Sequence, residues 1–178
     1  MQTYARQGGT SSIFIHDDGL QLISESERLA RTTFYSDHNI GYVARPAHSS
    51  EPDGFKRAGR FKKASNMNYG LALSLKLEKH LLRLEAGEVD ATEVSGDCLE
   101  DKALLLAVEE MYVESGNRFR PWAANGKSIR MGELVLIVDS DTIVPEVSFS
   151  LVSLSRPFAD GVEIGLLPGC CARVARVP

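Results

Sequence analysis

Apolar positions along the chain come in two rhythms: short unbroken runs of β-branched and aromatic residues, and longer stretches in which leucine recurs every three or four positions. Ser12-Ile13-Phe14-Ile15-His16 is of the first kind and stops at Asp17-Asp18-Gly19, which predicts a buried strand with two acids at its carboxyl end. Ser24-Glu25-Ser26-Glu27 fits a capping box and predicts a helix to about Tyr35. A second short strand is expected over 40–45, ended by Pro46, and the Ser-, Pro-, Gly- and charge-rich stretch 47–59 reads as loop. From Ser65 to Glu85, Leu71, Leu75, Leu77, Leu81, Leu82 and Leu84 make one broad helical face. Asp97 is placed to cap a further helix, with Glu100 three residues on, that ends at Ser115-Gly116-Asn117. Residues 118–130 read as a basic loop with aromatics, followed by the apolar strand Glu133–Val138, which breaks at Asp139-Ser140-Asp141. Strands without polar alternation, interleaved with helices, predict an α/β domain with a mostly parallel sheet.

Composition adds bounds. With 178 residues, 43% hydrophobic and 25% charged, the chain suits one globular domain that needs no disulfide or zinc to hold a core. Its three cysteines, a lone Cys98 and the vicinal Cys170 and Cys171, lack zinc-site spacing and point to reduced thiols. Twenty Lys and Arg against 24 Asp and Glu give a net charge of -4, which argues against a nucleic-acid partner whose affinity rests on phosphate neutralisation. No run approaches the ~20 apolar residues of a spanning helix, and the first residues lack a secretory pattern, so a cytoplasmic chain without a membrane span is expected.

The candidate chemistry begins with the acids. In open α/β sheets ligands gather beyond the carboxyl ends of the strands, and two strands here end in acidic pairs, Asp17/Asp18 and Asp139/Asp141. An Asp-x-Asp after a buried strand is an oxygen-rich pair suited to Mg²⁺ or Mn²⁺, ions that bind through one or two carboxylates plus substrate phosphates. The plainer alternative is that these acids form turns. Likewise Lys56, Arg57, Arg60, Lys62 and Lys63 read on their own as a solvated basic loop entering a helix. His16 is expected to be a strand residue, and His80 structural or exposed. Phe119 and Trp122, among arginines, either stack a sugar or base or pack on the sheet edge.

Four stretches in order resemble the family 2 glycosyltransferases, in the processive branch of cellulose, hyaluronan and chitin synthases. They are Ile13 to Gly19 with its Asp-Asp-Gly; Tyr42-Val43-Ala44-Arg45; Lys62-Lys63-Ala64-Ser65-Asn66-Met67-Asn68; and Val135 to Glu146 with its Asp-x-Asp. The resemblance implies a Rossmann-like, glycosyltransferase A-type sheet over 12–146, with 147–178 an atypical tail, mis-predicted or disordered. It implies a UDP-sugar donor and a polysaccharide or other glycosyl acceptor. Asp17 and Asp18 would then contact the uridine. Arg45, Lys63 and Asn66 would serve the diphosphate, aided by the helix N-terminus behind Ser65, where the family has Gly. Asp141 with Asp139 would hold the Mg²⁺ or Mn²⁺.

The same resemblance implies elements not found in this sequence: a strand before Asp17, a downstream carboxylate acting as general base, a Gln-x-x-Arg-Trp motif and membrane helices. The expectation is therefore a domain truncated at both ends, from a family that works at the cytosolic face of a membrane, with the catalytic base unknown. Two alternatives stand beside it: a non-catalytic nucleotide-binding module, and a haloacid dehalogenase-type phosphatase built on Asp139-x-Asp141. The late position of that pair argues against the second.

Overall fold

The structure, a computed structural model, describes residues 10–57, 62–92, 94–132, 134–138, 165–166 and 173–176. It is a mixed α/β protein whose contacts divide it into two units, one being Ser12–Arg130 and the other containing the described residues beyond it. Among the described residues no helix is long and apolar enough to cross a membrane.

In the first unit, β1 (Phe14–His16) leads through α1 (Glu25–Asp37) to β2 (Gly41–Ala44), which lies parallel to β1 with Phe14 opposite Gly41 and His16 opposite Val43. This β-α-β step starts as its sequence predicts: the Ser24 hydroxyl accepts from the Glu27 N–H, and the Glu27 carboxylate accepts from the Ser24 N–H. It ends in a turn where Asn39 takes a left-handed conformation.

Two long helices follow, α2 (Lys62–Glu85) and α3 (Leu99–Glu114), packed against each other. Leu73, Leu77, Leu81 and Leu84 are the buried stripe of α2, meeting Ala103, Leu104, Ala107 and Val108 of α3 together with Val43 and Ile129. Burying each Leu-sized side chain contributes roughly 1.5–3 kcal/mol, so this seam is the main source of the unit's stability. The stripe is narrower than the leucine spacing predicts, because Leu75 and Leu82 point to solvent. Only one helical face can meet a single partner helix, and the run has leucines on more than one. Asp97 does not cap α3; Cys98 holds that position without a side-chain bond to the helix backbone, its thiol donating to the Asp101 carboxylate, which also accepts from the Gly126 N–H.

Residues 118–130 correct the expectation of a loop. They form β3 (Trp122–Ala124), antiparallel to β2, and the short helix α4 (Gly126–Ile129), so the sheet β1-β2-β3 is mixed and not mostly parallel. Gly126 is obligatory there, since a Cβ would lie 2.1 Å from the Glu100 carbonyl oxygen.

The apolar strand expected in the same sheet, β4 (Leu134–Ile137), belongs to a second sheet. It pairs antiparallel with β6 (Arg173–Arg176), which also pairs antiparallel with β5 (Gly165–Leu166). An unbroken apolar run specifies burial on both faces and says nothing of direction or partner.

Candidate functional site

The site lies where β1 and β2 end. Because the two strands are parallel and adjacent, their carboxyl ends bring Asp17 and Asp18 of one beside Arg45 of the other, 27 residues on from Asp18. The start of α2 adds Ser65 and Asn66 from a third stretch of sequence.

Asp17 is 8% exposed and fully engaged. Its N–H donates to the Val43 carbonyl at 2.9 Å, extending the strand pairing. Its carboxylate accepts from the Gly19 N–H at 3.1 Å, from Arg31 Nη1 at 3.1 Å and 3.3 Å, and from the Tyr35 hydroxyl at 2.9 Å. Burial, and secondarily the bond to Asp17, pushes the Tyr35 hydroxyl up to about 12, so it stays a donor across the ordinary pH range. Arg31 and Tyr35 stand one turn apart on α1, and Asp17 is thus the staple that closes α1 onto the strand.

Asp18 is engaged differently. Arg45, only 1% exposed, donates Nε to Asp18 Oδ1 at 2.5 Å and Nη2 to Oδ2 at 2.7 Å, a bidentate pair, while its Nη1 donates to Ser65 Oγ at 2.7 Å. Arg57 approaches from the other side, with Nη2 4.0 Å from Asp18 Oδ2. A guanidinium this buried requires an anion beside it, and Asp18 supplies one.

His16, last residue of β1, ties the strand to α2. The Asn66 amide donates to the His16 carbonyl at 3.2 Å, and His16 Nδ1 lies 3.2 Å from the Asn66 carbonyl. A carbonyl only accepts, so Nδ1 carries the proton. Burial pushes the imidazole below its usual value and keeps it neutral. Asn66 Oδ1 is buried without a hydrogen-bond partner among the described residues.

Of the residues singled out from the sequence, Asp17, Asp18, Arg45 and Asn66 come together here, and Lys63 stands exposed on the first turn of α2. Because α2 begins at Lys62, Ser65 closes its first turn and Asn66 follows it, rather than standing at the tip. Asp139 and Asp141, the expected metal ligands, lie outside the described residues. Among the described residues no three His, Cys, Asp or Glu side chains are gathered as metal ligands would be. Reading the sequence missed Arg31 and Tyr35, although their spacing on one face of a helix that returns toward the acids was an available signal. The roles of Arg57 and His16 depend on contacts that no local pattern encodes.

The aromatics resolve toward packing. Arg28 lies over Trp122, 5.1 Å from the ring centre, and Phe119 packs edge-on against Phe55 at 5.5 Å. Beside Trp122 a groove of about 510 Å³ runs between α1 and α3, lined by Leu29, Tyr42, Leu105 and Val108 among others.

Comparison with protein-family models, with curated proteins and with solved structures found no match.

Proposed function

We propose that this chain is the donor-binding part of a glycosyltransferase that takes a UDP-sugar and delivers the hexose to a growing polysaccharide or other acceptor. The observation that carries the reading is the convergence of Asp18, Arg45 and Ser65, drawn from three of the sequence stretches that resemble family 2 enzymes, at the carboxyl ends of adjacent parallel strands. Ligands of open α/β sheets bind at that edge, and a β-α-β step such as β1-α1-β2 is the unit from which Rossmann-like, glycosyltransferase A-type sheets are built. In this reading Arg45 and Lys63 meet the diphosphate, Asp18 meets the uridine, and Asn66 supports the pocket wall through His16. Asp139 and Asp141 hold Mg²⁺ or Mn²⁺, which would neutralise charge on the departing UDP. The full-length enzyme would work at the cytosolic face of a membrane.

Isothermal titration with UDP, with and without Mn²⁺, tests this. The expected result is UDP binding that Mn²⁺ strengthens and that loses this increment in Asp141→Ala. Absence of UDP affinity would overturn the nucleotide reading, and binding unchanged by Asp141→Ala would overturn the metal assignment. Affinity without any release of sugar from UDP-hexoses would favour a non-catalytic nucleotide-binding module.

A further inference from the structure

We infer that Asp18 is an internal anion seated on the Arg45–Arg57 pair, and that the diphosphate of the ligand enters by displacing it. This rests on the reading of the chain as a nucleotide binder. Arg45 is 1% exposed and its Nε–Nη2 edge is covered by the Asp18 carboxylate, so an incoming phosphate reaches that edge only when the carboxylate leaves. Carboxylate and phosphate oxygens fit the same guanidinium fork, which makes one a direct substitute for the other. Asp18 is able to leave: it sits on a turn, 31% exposed, whereas Asp17 beside it is 8% exposed and held by α1.

The second arginine shows that the carboxylate leaves donor capacity unused. Arg57 Nη2 stays at 4.0 Å from Asp18, beyond hydrogen-bond distance, and its buried Nε has no hydrogen-bond partner among the described residues. Its position is built by the loop that carries it. Ser49 N–H donates to the Phe55 carbonyl at 3.0 Å, Phe55 packs between Tyr69 and Phe119, and Arg118 donates to Asp53. A diphosphate carries more acceptor oxygens than a carboxylate and is able to bridge both guanidiniums, which Asp18 does not.

The test follows the arginine Nε–H signals of the whole protein by nitrogen-15 NMR while inorganic pyrophosphate is added. Exchange moves the Arg45 Nε–H and the Asp18 amide together and saturably. Calorimetry should show Asp18→Asn binding pyrophosphate about tenfold or more tighter than the unaltered protein, because a charge-assisted competitor has been removed. Arg57→Gln should bind it more weakly. An Arg45 signal that stays fixed while pyrophosphate saturates, or Asp18→Asn binding no tighter, overturns the inference. Should Asp18→Asn fail to fold without its buried pair, the NMR arm and Arg57→Gln still decide. Exchange with pyrophosphate but no binding of UDP leaves this inference standing and removes the nucleotide reading. UDP binding with Arg45 unmoved does the reverse.

Discussion

The ring of His16 fills a notch on α2 that exists because residue 70 is glycine; a Cβ there would lie 2.1 Å from His16 Cε1. Gly70→Ala must push the ring off its bond with the Asn66 carbonyl, and overpacking of this kind costs about 1–3 kcal/mol. His16→Ala empties the same space. The double variant is therefore expected to lose less than the sum of the two singles in urea unfolding, and strict additivity would show that the ring does not pack there. At the same scale, Tyr35→Phe should cost about 1 kcal/mol, the net worth of one hydrogen bond to a carboxylate that keeps its other donors. A loss indistinguishable from zero by urea unfolding would mean that the Tyr35 hydroxyl is no part of the Asp17 staple. The acid pair was legible in the sequence, but the division of work within it was not: adjacent aspartates look alike until burial and partners separate them.

At the level of elements, the α2–α3 seam carries a polar clasp as well as leucines. Lys76 and Lys79 donate to the Glu110 carboxylate at 2.8 Å and 3.1 Å, His80 Nε2 lies 2.7 Å from it, and Lys76 also donates to Glu114. The hydrogen bond from Lys76, joined by those from Lys79 and His80 and opposed by burial, pushes Glu110 down to about 2. A carboxyl held below its ordinary value stabilises the fold above that ordinary value, and the contribution is lost as pH falls through the folded value. For Glu110 the loss runs from about 4.5 down to about 2. The gap in urea midpoint between the unaltered protein and Glu110→Gln should therefore be wide near about pH 6 and shrink by about pH 3. A gap independent of pH would refute the clasp. Of the elements themselves, α1 was legible to its capping box because a cap is a local hydrogen-bond pattern. β3 was not, because Trp122-Ala123-Ala124 is strand only through its pairing with β2.

For the molecule as a whole, the main core found among the described residues lies between Val43 and Ile129, inside the unit Ser12–Arg130. A chain cut to residues 12–130 should therefore fold by itself and unfold in one cooperative transition by circular dichroism. A broad, non-cooperative melt would show that the core depends on residues outside the unit. The second sheet, β4-β6-β5, shares no strand with the first, so the strand that ends at the Asp-x-Asp was legible as a strand but not as a member of a given sheet.

By itself, the sequence determined what is local: that β1, β2 and β4 are strands and that three long helices follow their apolar spacing, the capping box at Ser24, and the acids closing β1. Those properties depend on residues within a turn or two of one another. Only the tertiary structure decided that Asp17 is spent on Arg31 and Tyr35, that Asp18 lies on Arg45, that Arg57 comes to its side, and that β4 pairs with β6. Each of these pairs residues 14 or more positions apart, and which partners meet across such a separation is fixed by how the elements pack.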